Sequence, residues 1–416
     1  MPTINFFVFY ASLFNCGPFR NSIQLWCERG YKVNVFQPAD KRLHQYSSEL
    51  DRHYQLKEIK FPNALETLSR GIGKGMGLLR YFKLRKLALS GNQIDYIIRS
   101  LHFIFSCRRL SKTTDRQICI GGDPQGLLAA YLIARRNIDR NLLIYWSLEL
   151  WIEKDIRSLA RLFFKKLEKW CNQRAFCTIE FGEQRCALLK VENNLPEESM
   201  IPIPNSPIGE TELHRHTYFN KIFDIAPDKK IILYAGGISR DHMLGEIIDS
   251  LDSWPSHCVL VLHFSHHDES NLSELKKKAK HHPGRVYFSL EAVAYDDLEE
   301  IYTSCDIGLQ FFRPRMTNLK YADWCSGKLF QCMRAGVPVI TGNLPGYGDL
   351  IEKNGIGLCV SDTGNIGLAV ERILEEEEQY KTDCVHTFKS FEFRKHHQKL
   401  VKAVEERFPR NESKAV

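Results

Sequence analysis

A lysine and a glutamine are spaced along the stretch 326–348 in a way that suits phosphate binding. Ser326 and Gly327 lie where a helix is predicted to begin, Lys328 lies in its first turn, and Gln331 follows on the same face. The start of a helix carries unsatisfied N–H groups and a partial positive charge, so it attracts phosphate. The pattern predicts a diphosphate site at this helix start.

A buried strand and a glycine-rich loop follow this helix. The helix is predicted to end at Gly336, the strand covers Val337 to Thr341, and the loop covers Gly342 to Gly348. Open α/β sheets bind ligands at the carboxyl ends of their strands. The loop is therefore predicted to lie at the same ligand.

A second glycine turn occurs earlier in this half of the chain. A strand ends in Gly236 and Gly237, and Ser239 is positioned to cap the helix that follows. Taken alone this turn is weak evidence, because many strand–helix turns carry glycine. Two such turns in one sheet can face one pyrophosphate, with Arg240 and His242 adding positive charge or pointing to solvent.

Candidate catalytic residues lie in the first half, each just after a predicted strand. Asp123 and Glu149 could orient an acceptor hydroxyl or take its proton. Structural alternatives remain open, since Asp123 could only cap the next helix and Glu149 could only pair with a basic neighbour. Asn15 and Gly17 form an early loop that would face the same crevice.

Composition indicates a globular chain with two domains. The 416 residues exceed what one core supports, and 44% are hydrophobic. The start reads as a strand and not as a signal peptide, and no run is apolar enough for a membrane span. Thirteen cysteines in such a chain predict reduced, mostly buried thiols in a cytoplasm.

Charge is distributed unevenly along the chain. The first 205 residues carry a net charge of +12, and the whole chain carries +7. The rest is therefore acidic overall. This asymmetry favours an anionic partner for the first half, such as a membrane surface or a phosphorylated acceptor. Nucleic acid ranks last, because no base-stacking module is present.

Strand-like apolar runs alternate with helix-length segments in both halves, which predicts doubly wound parallel sheets. The predicted strands are Phe6–Tyr10, Lys32–Phe36, Tyr54–Ile59, Ile118–Gly121, Leu142–Trp146, Cys177–Phe181, Lys230–Ala235, Val259–Phe264, Arg285–Phe288, Ile307–Phe312, Val337–Thr341 and Gly357–Val360.

Proline and glycine punctuate 201–209 and mark the domain boundary. We expect an acceptor-binding domain over 1–205 and a donor-binding domain over 206–385. A helical segment over 386–416 is expected to pack back across the junction or to lie on the second domain.

These motifs together resemble the donor domain of GT-B glycosyltransferases, in the large retaining "group 1" set that includes family 4. The resemblance lies in the Gly-Gly turn after its strand, in Leu298–Leu309, and in Ser326–Ile340. The opening over Asn15–Phe36 and the segment Ile201–Asn205 are similar too. The resemblance implies two Rossmann-like domains facing a cleft.

The resemblance also implies roles for particular residues. The family's Glu-x7-Glu pair corresponds to Asp323 and Gln331, of which the first would touch the donor sugar and the second would hold the ribose hydroxyls. The family's arginine after the first glycine is replaced by Gly237, so phosphate charge must come from elsewhere. Lys328 matches a Ser-x-Lys-Leu form seen in some branches.

By this resemblance the chain is a retaining, metal-independent glycosyltransferase of the hexosyltransferase type. It would use a nucleotide-diphosphate sugar as co-substrate and need no cofactor. A lipid-linked or surface-polysaccharide precursor fits the basic first half as acceptor, with peripheral contact to the cytoplasmic face of an anionic membrane. Two alternatives stay open: a nucleotide-sugar 2-epimerase of the same fold, and a non-catalytic nucleotide-sugar-binding homologue.

Three other patterns carry less weight. Gly71–Gly77 resembles a phosphate loop but lacks its sequence, so we expect a loop. The segment 78–87 interleaves apolar and basic residues, which suits a membrane-surface helix and a core helix equally. His263, His266, His267, His281 and His282 do not complete a metal-ligand spacing, and no Asp-x-Asp occurs that would suit the metal-dependent GT-A type.

Overall fold

The computed structural model describes residues 2–9, 13, 16–40, 49–62, 91–111, 116–137, 139–266 and 268–408. Asn15, the glycine loop 71–77 and the basic segment 78–87 lie outside these ranges. The described residues up to Ile203, together with those from Lys399 onward, form one compact unit, and Pro204–Gln398 form the second.

The first unit contains a seven-stranded parallel sheet in the order β3-β2-β1-β4-β5-β6-β7. Its strands are β1 Thr3–Val8, β2 Lys32–Pro38, β3 Gln55–Ile59, β4 Gln117–Gly122, β5 Leu142–Trp146, β6 Cys177–Glu180 and β7 Met200–Pro202. The sequence predicted the first six. It missed β7, a short edge strand inside the proline-rich stretch assigned to the domain boundary.

Helices of the first unit follow its strands. They are α1 Gly17–Glu28, α2 Gly91–Leu110, α3 Asp123–Ala134, α4 Leu159–Asn172 and α5 Gly182–Asn193. Helix α3 lies close on the sheet, since a Cβ at Gly121 of β4 would overlap the backbone of Leu127 in α3, and a Cβ at Gly122 would press on the Phe19 ring of α1. The glycines of the Gly-Gly-Asp-Pro turn therefore serve close packing.

The second unit contains a six-stranded parallel sheet in the order β10-β9-β8-β11-β12-β13. The strands are β8 Lys230–Gly237, β9 Cys258–His266, β10 Val286–Ser289, β11 Ile307–Gln310, β12 Val339–Gly342 and β13 Gly357–Val360. Every one was predicted, with ends shifted by up to two residues. The strand order reverses between β8 and β11, and such a switch point opens a crevice for ligands.

Helices of the second unit cover both faces of this sheet. They are α6 Tyr218–Phe223, α7 Leu244–Asp249, α8 Glu269–Ala279, α9 Leu298–Tyr302, α10 Thr317–Lys320, α11 Gly327–Arg334, α12 Ile366–Glu375 and α13 Glu377–Phe391. The last helix, α14 Phe393–Arg407, begins in this unit, and its residues from Lys399 onward belong to the first. Helix α11 has Ser326 at its N-cap, and Gly336 follows its end in the left-handed region, with φ of 66°. The predicted C-terminal helical segment is two helices separated at Glu392.

Two further features bear on the expectations from sequence. None of the thirteen cysteines, all within the described ranges, forms a disulfide, and ten are buried. In the part of the chain that the structure describes, no helix is both long and apolar enough to cross a membrane.

Candidate functional site

The carboxyl end of β8 forms one wall of the candidate donor site. The strand is irregular between Gly236 and Gly237, where its register with β9 shifts. Gly236 adopts φ of 151°, a conformation that L side chains rarely adopt. This turn leaves backbone exposed to an approaching ligand at the switch point of the sheet.

The start of α11 forms the facing wall. Ser326 holds the N-cap position but makes no capping hydrogen bond, and its buried Oγ has no partner among the described residues. The amide of Asn205 donates to the carbonyl of Cys325 over 2.9 Å and lies against Gly327. The first N–H groups of α11 and the Ser326 hydroxyl thus stay available to a ligand.

The Lys328 ammonium lies between these two walls. Its Nζ is 4.7 Å from the ring centroid of Tyr234 and 5.2 Å from that of Phe312. It would lie 3.2 Å from a Cβ built on Gly236, so glycine leaves the space that the ammonium occupies. Within the described ranges, no acidic side chain pairs with it.

Burial and the lack of an anion affect the protonation of this lysine. Desolvation lowers the pKa of Lys328 from 10.5 to about 8. The side chain is only partly exposed, and the two aromatic rings stabilise its charged form through their π faces. The arrangement holds a desolvated cation that gains most from an anionic ligand.

A polar network fixes the Tyr234 ring beneath the ammonium. The Tyr234 hydroxyl donates to the carbonyl of Gly237 over 2.8 Å, and Nδ1 of His242 lies 2.8 Å from that hydroxyl. The His242 ring also packs edge-on against Phe312, with 5.4 Å between centroids. His242 therefore supports the rings around Lys328.

Arg240 is directed elsewhere. Its exposed side chain reaches toward Glu274, with 3.9 Å between Nη2 and Oε2. It lines a cavity of about 390 Å³ between α7 and α8, where Arg313 pairs with Glu246. The structure does not bring Arg240 to Lys328, because the turn after Ser239 directs His242 toward Tyr234 instead.

Asp323 and Gln331 both lie in the same unit, on either side of the α11 start. Asp323 is buried, and its carboxylate packs directly against Gly346 of the glycine-rich loop, where φ is 84°. A side chain at residue 346 would collide with this carboxylate. Gln331 is buried on α11, and in the described part of the chain its side-chain amide has no hydrogen-bond partner.

In the first unit, Asp123 organises the ends of two strands. It begins α3 with φ of 57°, and its Oδ1 accepts hydrogen bonds from the backbone N–H groups of Leu148 and Glu149, both over 3.1 Å. Burial raises the pKa of the Asp123 carboxyl well above 3.8, and the Glu149 carboxylate acts in the same direction. The geometry suits a residue that positions the loop after β5.

Glu149 itself is exposed in this loop. Gly17 is the first residue of α1, followed by Pro18. The two sequence alternatives for the acidic pair thus differ: Asp123 holds backbone N–H groups, while Glu149 presents its side chain outward.

Comparison with solved structures identifies this architecture. The chain matches Anabaena HepE in complex with UDP and glucose with a TM-score of 0.68 at 13% identity, covering 98% of this chain and 100% of that one. It matches Thermosynechococcus elongatus sucrose-phosphate synthase (TM-score 0.67, 12% identity, 98% and 99% covered). WaaG, described as a glycosyltransferase involved in lipopolysaccharide biosynthesis, matches with a TM-score of 0.62, 11% identity, and 98% and 100% covered.

The chain has the GT-B fold. Both predicted Rossmann-like sheets are confirmed. The sequence itself matches no family model and no curated protein.

The histidines of this GT-B chain do not gather into a metal centre in the described ranges, where no group of three or more His, Cys, Asp or Glu side chains could hold an ion. His263 is buried beside Ser289, with Nδ1 2.9 Å from Oγ, and burial lowers its pKa to about 4. His282 lies 3.4 Å from Asp252.

Sequence reasoning missed three residues of the candidate site around Lys328. Tyr234 and Phe312 were assigned only to strands. Tyr234 lies shortly before the end of β8, and Phe312 lies just after the end of β11, so both are near the switch point of the sheet, where side chains contact ligands. Asn205 was noted only within Ile201–Asn205. The available signal for Asn205 was its position as a polar residue at the end of a proline-rich segment.

Proposed function

We propose that this protein is a glycosyltransferase that moves a sugar from a nucleotide-diphosphate sugar to an acceptor. One observation carries the proposal: the Lys328 ammonium lies between Gly236 and the α11 start without an acidic partner in the described chain. A partly desolvated cation beside free N–H groups is the arrangement that a diphosphate requires. The UDP and glucose named for HepE are consistent with such a ligand.

The reaction would release the nucleoside diphosphate, and negative charge develops on its oxygen as the sugar bond breaks. N–H groups at Gly236 and Gly237, those at the start of α11, and the Lys328 ammonium would stabilise that charge. The positive charge would come from the protein, which fits a metal-independent reaction. Asp323 and Gln331 would contact the sugar and ribose, and a retaining outcome is part of the proposal.

The basic first unit would bind the acceptor, with Glu149 as the group that orients or deprotonates its hydroxyl. Its net charge of +12 over 1–205 suits a lipid-linked or surface-polysaccharide precursor on the cytoplasmic face of an anionic membrane. The description of WaaG as involved in lipopolysaccharide biosynthesis supports this acceptor class.

Gln331 supports a second candidate, a non-catalytic homologue that binds nucleotide sugar. A neutral amide holds a ribose diol less strongly than a carboxylate does. A third reading, a nucleotide-sugar 2-epimerase, requires several acids and a histidine in one site. Among the described residues, the charged groups that raise the pKa of Asp123 are Glu149 and Glu180, and no histidine is among them.

A thermal-shift screen of UDP- and GDP-sugars on wild type and Lys328→Ala tests donor binding. We expect at least one sugar nucleotide to stabilise the wild type and to lose most of that effect in the variant. Equal shifts in the two proteins would refute the assigned role of Lys328. Transfer of labelled sugar to an acceptor supports the transferase, interconversion of free sugar nucleotides supports the epimerase, and binding without either supports the non-catalytic homologue.

A further inference from the structure

Helix α4 has an unusual distribution of polar and apolar side chains. Its buried residues include Lys165, Glu168 and Asn172, each at most 2% exposed. Its exposed residues include Leu159 and Phe163, both 52% exposed. A surface helix of a globular protein normally places apolar residues inward and charges outward, and α4 partly reverses this order.

The buried charges of α4 pair with each other and with polar groups of the same unit. Lys165 Nζ lies 2.7 Å from Glu168 Oε2 and donates to Asn193 Oδ1 over 2.8 Å. Glu168 Oε1 accepts from the Tyr145 hydroxyl over 3.0 Å and from the Asn193 amide over 3.1 Å. Because a buried charge without partners is costly, this network fixes the rotation of α4 about its axis.

That rotation presents to solvent a stripe of apolar and aromatic side chains that is interrupted by Lys166. Leu159, Phe163, Lys166 and Trp170 follow spacings of four, three and four, which place them on one side of the helix. Trp170 is 42% exposed and packs edge-on against Tyr131 of α3, with 4.9 Å between centroids. Large side chains exposed singly are common, but an aligned series of them indicates an interaction surface.

Positive charge surrounds this stripe. Arg161, Lys166 and Arg174 are exposed, and α4 has no exposed acidic residue. The Arg174 guanidinium stacks on the Trp170 ring at 4.1 Å from its centroid. Cations flanking apolar and aromatic side chains are the composition of helices that lie in the interface of an anionic bilayer.

We propose that this α4 face (Leu159, Arg161, Phe163, Lys166, Trp170 and Arg174) docks the protein on an anionic lipid membrane. The occupant follows from charge complementarity. A second copy meeting the same face would bring like charges together, because a twofold contact pairs a surface with itself. The proposed function includes contact with an anionic membrane, and this inference rests on that function in assigning the contact to a surface. Its structural argument uses helix α4 alone.

Flotation of the full chain with phospholipid vesicles tests the proposal. One set contains phosphatidylcholine only, and the other contains phosphatidylcholine with about one third phosphatidylglycerol. We expect binding to the anionic vesicles that weakens with added salt. Arg161→Ala/Lys166→Ala/Arg174→Ala should lower the partition coefficient by roughly fivefold per cation, from about 1 kcal/mol each.

A second variant, Leu159→Ser/Phe163→Ser/Trp170→Ser, should lower the partition coefficient at least about tenfold, since bilayer burial of each side chain is favourable. A matched variant carries three serines at exposed apolar positions of the other unit, Leu213, Ile222 and Leu368. A matched charge variant replaces Lys276, Lys277 and Lys280 with alanine. Both controls should bind like the wild type.

Several results would overturn the proposal. These are no binding of the wild type to anionic vesicles, equal binding by α4-face variants and controls, or a self-association that only the α4-face variants lose. The sugar-nucleotide thermal shift is measured in parallel on every variant and reports on folding and donor binding. Loss of vesicle binding with a retained donor shift therefore separates this inference from the proposed transferase.

Discussion

Replacing Lys328 with methionine should change the free protein and the donor complex in opposite directions. Methionine keeps the length of the side chain and its contact with Tyr234 and Phe312, while it removes the ammonium. In the free protein the ammonium has no acidic partner in the described residues, so its desolvation is poorly compensated. We therefore expect Lys328→Met to be more stable without ligand and to respond much less to a sugar nucleotide.

The magnitudes follow from the environment of this lysine. A pKa lowered from 10.5 to about 8 corresponds, after allowance for partial exposure, to about 2 kcal/mol of stability at pH 7. That raises Tm by roughly 4–8 °C for a unit of this size. Loss of a charge-assisted contact to diphosphate costs about 2–4 kcal/mol, which weakens Kd roughly 30- to 700-fold.

Thermal unfolding with and without a saturating sugar nucleotide measures both effects. At a ligand concentration of about 100 Kd, the wild type gains about 2.7 kcal/mol, and the variant should keep less than about 0.9 kcal/mol. Lys320→Met is the matched control, because Lys320 also lies over one aromatic ring, at 5.6 Å, but is exposed. A Lys328→Met protein that is less stable without ligand, or that keeps the full shift, would refute the reasoning.

Three further predictions concern the surroundings of Lys328 in the second unit and of Asp123 in the first. Gly236→Ala should weaken donor binding at least about tenfold, because its Cβ would press on the ammonium; Gly284→Ala, also at positive φ but with open space around it, should leave Kd unchanged in a titration. Asp123→Asn should stay folded because its amide oxygen still accepts the two N–H groups, whereas Asp123→Ala should lose about 1–3 kcal/mol in urea unfolding. If Asp123→Asn is folded yet inactive, the residue is catalytic. Donor affinity should fall as pH rises through about 8, because Lys328 loses its proton there. Calorimetry near that pH should show that donor binding takes up a proton, and an affinity that does not change with pH would contradict this prediction.

The stability of the free protein should depend on pH through the titration of Lys328. Because the folded pKa lies below the unfolded one, the unfolded chain binds more protons between about pH 8 and 10.5. Stability contributed by this group therefore rises with pH across that window. The Tm advantage of Lys328→Met should shrink over the same range.

Most of the fold was predictable because parallel strands buried on both faces leave continuous apolar runs in the sequence. The runs at β4, β5 and β11 are of this kind. β7 was not predictable, since three residues of an edge strand between prolines have no such signal. The break at Glu392 was missed because the apolar spacing continues on both sides of it.

The candidate donor site was predictable only where its residues are neighbours in the sequence. Lys328 was found because a helix start, a serine and a lysine are adjacent in sequence. Its neighbour Tyr234 lies on β8 and Phe312 lies just after β11, and which ring faces the ammonium depends on how the β8 end is bent. The sequence left Arg240 either as added positive charge or as a side chain pointing to solvent, and in the structure it is exposed beside Glu274.

The Lys165–Glu168 pair has a kinetic implication for α4. Rotating the helix to bury its aromatic side chains would separate this ion pair from its hydrogen-bond partners. The outward orientation of those side chains is therefore the stable one in the free protein. Adsorption to a surface then requires no rearrangement of the protein. Stopped-flow traces should show a single phase whose rate grows linearly with vesicle concentration, without a plateau.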